Sequence, residues 1–538
     1  MKKTVKFSFE RRTAFCFFVI VLLLFICFLR IFSIILSPKY KVTASEGHHY
    51  IIDAGNLRGT IFDRNMHPIT NAEEKTMAAV LPTPRSLAVL RGVLSDEEML
   101  KVTKKIKEDK PFLITLPEEV TCDGIICFKV PENLAAEQSA VHLVGYCNAS
   151  GHGVTGLQSA FDDLLNLDGK ITVSYAKDGH SNILKGIDGV LENTSNVLNT
   201  GVISTLDINL QKILEDATKT IKKGCAIICE AKTGEILAAV SLPDFSPQDI
   251  ESATESPDSP LLNRIFCSYN IGSVFKPCAA LSAMTSGAQN SFSHTCAGFV
   301  NIDGHTFNCH KLSGHGKVSL DSALALSCNT FFYKLSILTG AESLYKTATI
   351  FGFGSSITLC NKMSTYNESI TPLKTLKASN SALANLAIGQ GELLASPLTL
   401  LNLYNAIANE GKYYTPTLIK GTMKNGKISE EKHTAPTRAM SKECAQKIKY
   451  YLNGVIENGT GTKAKPENTT AAGKTATAET GWKNEKGELI SQAWFCGFFP
   501  LESPKYTVII LAEDSVSGGE DCAPVFKAIA EKITEAGY

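Results

Sequence analysis

Between Thr13 and Leu36 the chain reads TAFCFFVIVLLLFICFLRIFSIIL, with a single charge, Arg30. Wound as an α-helix, this run spans about 36 Å, enough to cross the hydrocarbon core of a bilayer. Arg30 lies near its outer end, where a long side-chain stem reaches the headgroups. Lys2, Lys3, Lys6, Arg11 and Arg12 precede the run, and only Lys39 and Lys41 follow closely. The positive-inside rule therefore predicts residues 1–12 as a cytoplasmic tail, 13–36 as a transmembrane helix in the cell membrane, and the rest as extracytoplasmic. The length of the run, with no small-residue cleavage site after it, favours a retained anchor over a signal peptide.

Beyond the anchor the patterning falls into two regions. Residues 40–200 read as mixed α/β. RGTIFDRNMHPITN (58–71) predicts strand, turn and strand, residues 97–108 a charged helix, and GHGVTGLQSAFDDLLN (151–166) a glycine-rich turn leading into a helix. From 201 to 538 the texture changes. A helix is expected over Asp207–Thr220, then a hairpin in CAIICEAKTGEILAAVSLP (225–243) turning at Lys232–Gly234. Helical periodicity fills 273–285, 319–340 and 397–410; strands return at 471–479, 493–499 and 506–513; a helix closes the chain at 523–535. Strands at both ends with helices between them predict an α+β domain, one antiparallel sheet flanked by helices with its first and last strands brought together.

Composition changes this picture little. The 538 residues carry 53 basic and 53 acidic side chains, so no basic excess supports a nucleic-acid partner. Sixteen cysteines, all but Cys16 and Cys27 beyond the anchor, are many for an exported chain. A region this large builds its own core, and most of these thiols are expected to be small buried hydrophobes.

Three short motifs carry chemistry. GSVFKP (272–277) sets Ser273 three residues before Lys276, on one face of a helix, with Pro277 acceptable in its first turn. A serine hydroxyl needs a neighbouring base to become a nucleophile, and a buried lysine can be that base. Ser343–Lys346 and Ser429–Lys432 share the spacing and are read as surface pairs. SCN (327–329) follows the ALALS helix; Ser327 can relay a proton and Asn329 can grip a peptide group, or both are capping residues of a helix-end loop. GKTATAE (473–479) reads as a strand with Thr475 and Thr477 on one face and Lys474 on the other. KTG at 232–234 is a decoy that belongs to the hairpin turn.

The order S-x-x-K, S-x-N, K-T-x-T resembles the penicillin-binding and serine β-lactamase superfamily. The likeness extends to RGTIFDRN (58–65), GVTGLQSAFD (153–162), STLDINLQ (204–211), KTGEILAAVSLPDFSP (232–247), IGQGELLASPLTLLNLYNAIANEG (388–411), ENGTGTKA (457–464) and AWFCGFFP (493–500), which look like class B penicillin-binding proteins. The resemblance implies a transpeptidase domain over 201–538 and a pedestal, or dimerisation, domain over 40–200. It implies that Ser273 is acylated by a D-Ala-D-Ala stem peptide of lipid II-derived glycan, that Lys276 is the general base, and that Ser327 passes the proton to the leaving D-Ala. Asn329 would hold the donor backbone and orient Lys276. Lys474 would supply charge, Thr475 and Thr477 would bind the terminal carboxylate, and the N–H groups of Ser273 and Thr477 would form the oxyanion hole. It further implies acylation by β-lactams, no cofactor for the chemistry, and a SEDS-type glycosyltransferase partner in division, elongation or sporulation. Arg58, Gly59, Asp63 and Arg64 match the first pedestal motif and are read as structural. The sequence departs from the family pattern at Ala476, where glycine is usual, and at Gln158, where glutamate is common. A methyl at 476 is expected to narrow the cleft or tilt the strand and to alter acylation by some β-lactams.

Cys296, Cys309, His315 and Cys328 offer a three-thiolate, one-imidazole set between the first two motifs, suited to a structural zinc. The set resembles a zinc site of some elongation-type and clostridial relatives. Buried thiols, a Cys296–Cys309 disulfide, or His310 as the imidazole are the alternatives. Other functions weighed against transpeptidation are water as acceptor (a carboxypeptidase or β-lactamase), a bifunctional glycan polymerase, and an acylatable but mainly non-catalytic scaffold or β-lactam sensor.

Overall fold

The computed structural model describes residues 2–36, 49–55, 57–167, 169–432, 434–483, 487 and 489–538. The chain divides into two compact units, Met1–Asn56, Glu74–Pro131 and Asp168–Ser195 forming one, and Leu57–Glu73, Glu132–Leu167 and Asn196–Tyr538 the other. The division does not follow the sequence boundary near 200. Leu57–Glu73 joins the second unit because its strand Thr60–Phe62 pairs in parallel with Gly201–Ser204.

In the first unit the helix Lys2–Leu36 contains the apolar stretch Arg11–Ser33, of mean hydropathy 3.0, long and apolar enough to cross a membrane. One three-stranded sheet orders His49–Asp53, Ile171–Ala176 and Val190–Asn193; a second orders Phe112–Leu116, Glu73–Val80 and Ile125–Glu132. The charged helix is Asp96–Ile106, started by a capping box between Ser95 and Glu98. Its one buried residue, Val102, joins Ala78, Val80, Leu90 and Phe112 in a small core.

The second unit is built on a five-stranded antiparallel sheet ordered Ile236–Leu242, Gly224–Glu230, Tyr506–Ala512, Leu489–Phe499, Ala472–Lys483. First and last strands meet where Gly224–Glu230 pairs with Tyr506–Ala512. One face packs against the helices Ile208–Ala217 and Ala523–Glu535 through Leu210, Leu214, Phe526 and Ile529. The other meets a helical layer whose centre is Lys276–Ser286, where nine of eleven residues are buried. A helix buried all round belongs inside such a layer.

Two expectations need correction. Residues 319–340 form two helices, Leu320–Ala325 and Asn329–Thr339, because Ser327 between them takes φ +54°, a left-handed conformation that an α-helix cannot contain. The second strand expected in 58–71 is reduced to a single bridge, Phe62 to Pro68. The turn between is held by the Asp63 carboxylate, which accepts from the N–H groups of Asn65 and His67, both at 2.8 Å.

The first pedestal motif is structural in its contacts. Buried Arg58 donates to Gln158 Oε1 (2.8 Å), Gln158 O (3.1 Å) and Gly151 O (2.6 Å), and pairs with Asp162 (2.8 Å). Gln158 takes the hydrogen bond without a charge, and Asp162 supplies the charge.

Candidate active site

Ser273 lies in a 3₁₀ turn, Gly272–Phe275, and Lys276 starts the α-helix that follows. Residues i and i+3 eclipse in a 3₁₀ turn, so both side chains leave one face. The turn is fixed from three distant segments. Gly272 has φ +56° and donates its N–H to Gly389 O at 3.0 Å. Gly389 has φ +76°, and a methyl there would lie 2.0 Å from Gly272 O, so both positions require glycine. The Tyr404 hydroxyl donates to Val274 O (3.0 Å), and the Trp494 indole N–H donates to Asn270 O (3.0 Å).

Lys276 is fully buried. Its Nζ lies 2.7 Å from Ser327 O, 3.0 Å from Ser327 Oγ and 2.7 Å from Asn329 Oδ1. Ser327 Oγ in turn lies 3.1 Å from Ser273 Oγ. The amine therefore reaches the nucleophile through Ser327, whereas the i, i+3 spacing alone places it directly beside Ser273. The loop at 327–329 offers a buried ammonium three acceptors, which the single oxygen of Ser273 cannot. Burial pulls Lys276 down to about 7, against a smaller upward pull from the Cys328 and Cys309 sulfurs.

Lys474 is also fully buried, with Nζ donating to Thr475 O at 2.9 Å. Burial, and then the charge of Lys276, hold it well below the usual lysine range. On the strand Ala472–Lys483, burial does not alternate at its start, since Thr475 is only 6% exposed. Lys474 and Ala476 are buried; Thr477 is exposed and accepts from the Gly518 N–H (3.4 Å); Thr475 lies 2.6 Å, hydroxyl to hydroxyl, from Thr460. Ala476 points its methyl at the Gly272 turn: a methyl built on Gly272 would lie 3.6 Å from it. Pairing with Leu489–Phe499 runs without a register shift from Ala472 to Glu479.

The decoys stay outside. Ser343 bonds Ser282 on a neighbouring helix (2.9 Å), Ser429 is exposed, and Lys232–Gly234 forms the hairpin turn with Gly234 at φ +77°.

Cys296, Cys309, His315 and Cys328 converge, their ligand atoms all within 4.8 Å of one another. His315 Nδ1 is 3.5 Å from the sulfurs of both Cys296 and Cys309. Zinc bonds of about 2.3 Å to sulfur and about 2.0 Å to nitrogen, at tetrahedral angles, put ligand atoms about 3.5–3.8 Å apart, so the set fits that ion. The neighbouring Cys328 sulfur holds the Cys309 thiol well below its usual range, and Cys309 lifts Cys328 well above. Burial lowers His315, the direction that favours the neutral imidazole a ligand must be. All sixteen cysteines are free thiols, Cys296 and Cys309 among them. His310 stands beside the cluster, its ring 5.1 Å from that of His315.

Gly389, Tyr404, Trp494 and Thr460 stand in the sequence only as members of longer family-like blocks. Their roles depend on contacts across more than a hundred residues, or on one hydroxyl meeting another, which no local pattern encodes.

A serine wired to a buried lysine through a second serine defines an activated-serine site. Residues 224–531 match the penicillin binding protein transpeptidase domain, and the chain belongs to that family. Peptidoglycan D,D-transpeptidase MrdA of Acinetobacter baumannii is 27% identical over 407 residues, covering 70% of this chain and 59% of that protein. Stage V sporulation protein D of Bacillus subtilis is 26% identical over 516 residues, 87% of this chain and 76% of the relative. The crystal structure of a D,D-transpeptidase domain of a peptidoglycan glycosyltransferase from Eggerthella lenta matches with a TM-score of 0.65 at 25% identity, over 90% of this chain and 99% of that one.

Proposed function

We propose that this protein is a membrane-anchored peptidoglycan D,D-transpeptidase that cross-links stem peptides through an acyl-enzyme on Ser273. The observation that carries the reading is the Ser273–Ser327–Lys276 hydrogen-bond chain. Neutral Lys276 accepts a proton from Ser327, which takes one from Ser273 as its oxygen attacks the penultimate D-Ala carbonyl. The C–N bond to the terminal D-Ala then breaks, and the proton returns along the same chain to the leaving amine. A second stem-peptide amine resolves the ester and regenerates Ser273. Asn329 orients Lys276, Lys474 sets an amine donor against the strand at Thr475 O, Thr475 and Thr477 bind the terminal carboxylate, and the N–H groups of Ser273 and Thr477 stabilise the oxyanion. β-Lactams acylate the same serine.

The test uses the full-length protein in detergent with a fluorescent penicillin and with lipid II-derived glycan. Wild type labels and yields cross-linked dimers; Ser273→Ala does neither. Label retained in Ser273→Ala sinks the assignment. Release of D-Ala without dimers would mark a carboxypeptidase instead. The scaffold reading draws no support from a site whose polar groups are already connected.

The Cys/His cluster would hold one structural zinc through Cys296, Cys309, His315 and Cys328, tying the loop that carries Ser327 to the antiparallel pairs His294–Cys296 with Gly316–Val318 and Phe299–Ile302 with His305–Asn308. Purified protein is expected to carry about one equivalent of zinc and to melt at lower temperature after chelation; a metal-free protein of unchanged stability rejects the site. The positive-inside pattern supports a cytoplasmic N-terminus. The exposed apolar side chains of Ile51, Val190 and Leu191 on the first unit's sheet, with the anchor helix, support a membrane-embedded partner of the SEDS glycosyltransferase type. A relative named for stage V of sporulation makes the forespore one location to examine with a fluorescent fusion, beside septum and sidewall.

A further inference from the structure

Thr460 stands at a junction of three cleft elements. Its backbone N–H donates to Ala325 O at 3.1 Å, at the end of the helix that leads into the Ser327 loop. A methyl placed on Gly519 would lie 2.9 Å from Thr460 O, so the loop carrying Gly518 and Gly519 passes in contact with it. Three residues on, Lys463 pairs with Glu520 of that same loop. The Thr460 side chain is exposed, while its hydroxyl lies 2.6 Å from that of Thr475, a residue only 6% exposed.

A hydroxyl has one proton to give and two lone pairs to receive, and a carboxylate only receives. Within the Thr460–Thr475 bond one oxygen donates and the other accepts. If Thr475 donated to Thr460, its only proton would be spent and its lone pairs would face an incoming anion. If Thr460 donates, the proton of Thr475 is free, and a charge-assisted bond to the anion strengthens the bond behind it.

We infer that Thr460 is a positioning residue for substrate recognition: it donates to Thr475 and thereby aims the Thr475 proton at the carboxylate of the acyl donor. The inference rests on the reading of Thr475 as a carboxylate-binding residue. It predicts a loss confined to ligands that carry the anion, which a purely mechanical tie between loops would not produce.

The test compares two activated donors with the full-length protein, a D-alanyl thioglycolate with a free carboxylate and its methyl ester. Thr460→Val keeps the shape and removes the donor. It is expected to lower kcat/KM for the acid about tenfold, mainly through KM, and to leave the ester within about twofold. Thr460→Ser restores the acid rate, and in a Thr475→Val background Thr460→Val adds less than about twofold. Equal losses on acid and ester, or additive losses in the double variant, overturn the proposal. Should Thr460→Val fail to fold, Thr460→Ala takes its place with the same acid-to-ester ratio as the readout. Wild-type protein that leaves Ser273 unlabelled by fluorescent penicillin would instead remove the reading beneath it.

Discussion

Lys276 is held by a backbone carbonyl, a hydroxyl and an amide oxygen, all neutral acceptors. Burial is therefore opposed only weakly, and the pKa falls to about 7. Below that pH the amine is protonated and cannot receive the proton of Ser273; above it the amine is a base. Acylation by benzylpenicillin is expected to rise about tenfold per pH unit below about 6 and to level off above about 8. A rate flat from pH 5 to 9 would remove Lys276 as the base. Ala476 is the other residue with a consequence for rate. Its methyl packs toward the Gly272 turn, and its backbone N and O crowd Gly518, whose own methyl would come within 2.5 Å of Ala476 O. Ala476→Gly should loosen the strand beside the nucleophile and change acylation by at least one of several β-lactams by more than about threefold; identical rates for all would show the methyl to be silent. Ser273, Lys276, Ser327, Asn329 and Lys474 could be named from the sequence because order and spacing of three motifs are local information. The route of the proton through Ser327 could not, since it depends on a left-handed φ at that serine.

At the level of elements, the sequence located most helices and strands of the transpeptidase region, because apolar periodicity reports burial. It joined the two helices flanking Ser327, because their periodicities run on through the break. The turn that presents Ser273 depends on a partner segment that periodicity cannot see. Gly389→Ala would drive a methyl to 2.0 Å from Gly272 O at a residue with φ +76°. The expected cost is at least about 2 kcal/mol, with penicillin labelling falling in step. Gly304→Ala is the control: φ is +80°, but nothing lies within 4 Å of the added methyl, so only the backbone strain of about 1 kcal/mol remains. Thermal melts of the two variants that coincide would discount the contact at Gly389.

For the whole molecule, the anchor helix was legible from one long apolar run and its flanking charges, whereas the two compact units were not. Units that trade segments along the chain leave no compositional seam: Leu57–Glu73 packs with residues that follow it by more than a hundred positions. The catalytic groups all lie in the second unit, and the anchor lies in the first. A protein lacking residues 1–36 is therefore expected to leave the membrane fraction and keep its penicillin acylation rate within about twofold; loss of acylation in a folded protein would tie the anchor to the site.

The strand that carries Lys474, Thr475 and Thr477 is the last of its sheet, and among the described residues no further strand pairs with its outer side. Folded proteins usually cover or break such a border, since any extended chain can add to it. Beside Ser273, the outer backbone groups of this strand are the ones on which a peptide could pair as a further strand. Main-chain pairing is blind to side chains, so a single cleft can serve donors of differing composition, and an inhibitor could borrow the same docking through one well-spaced amide.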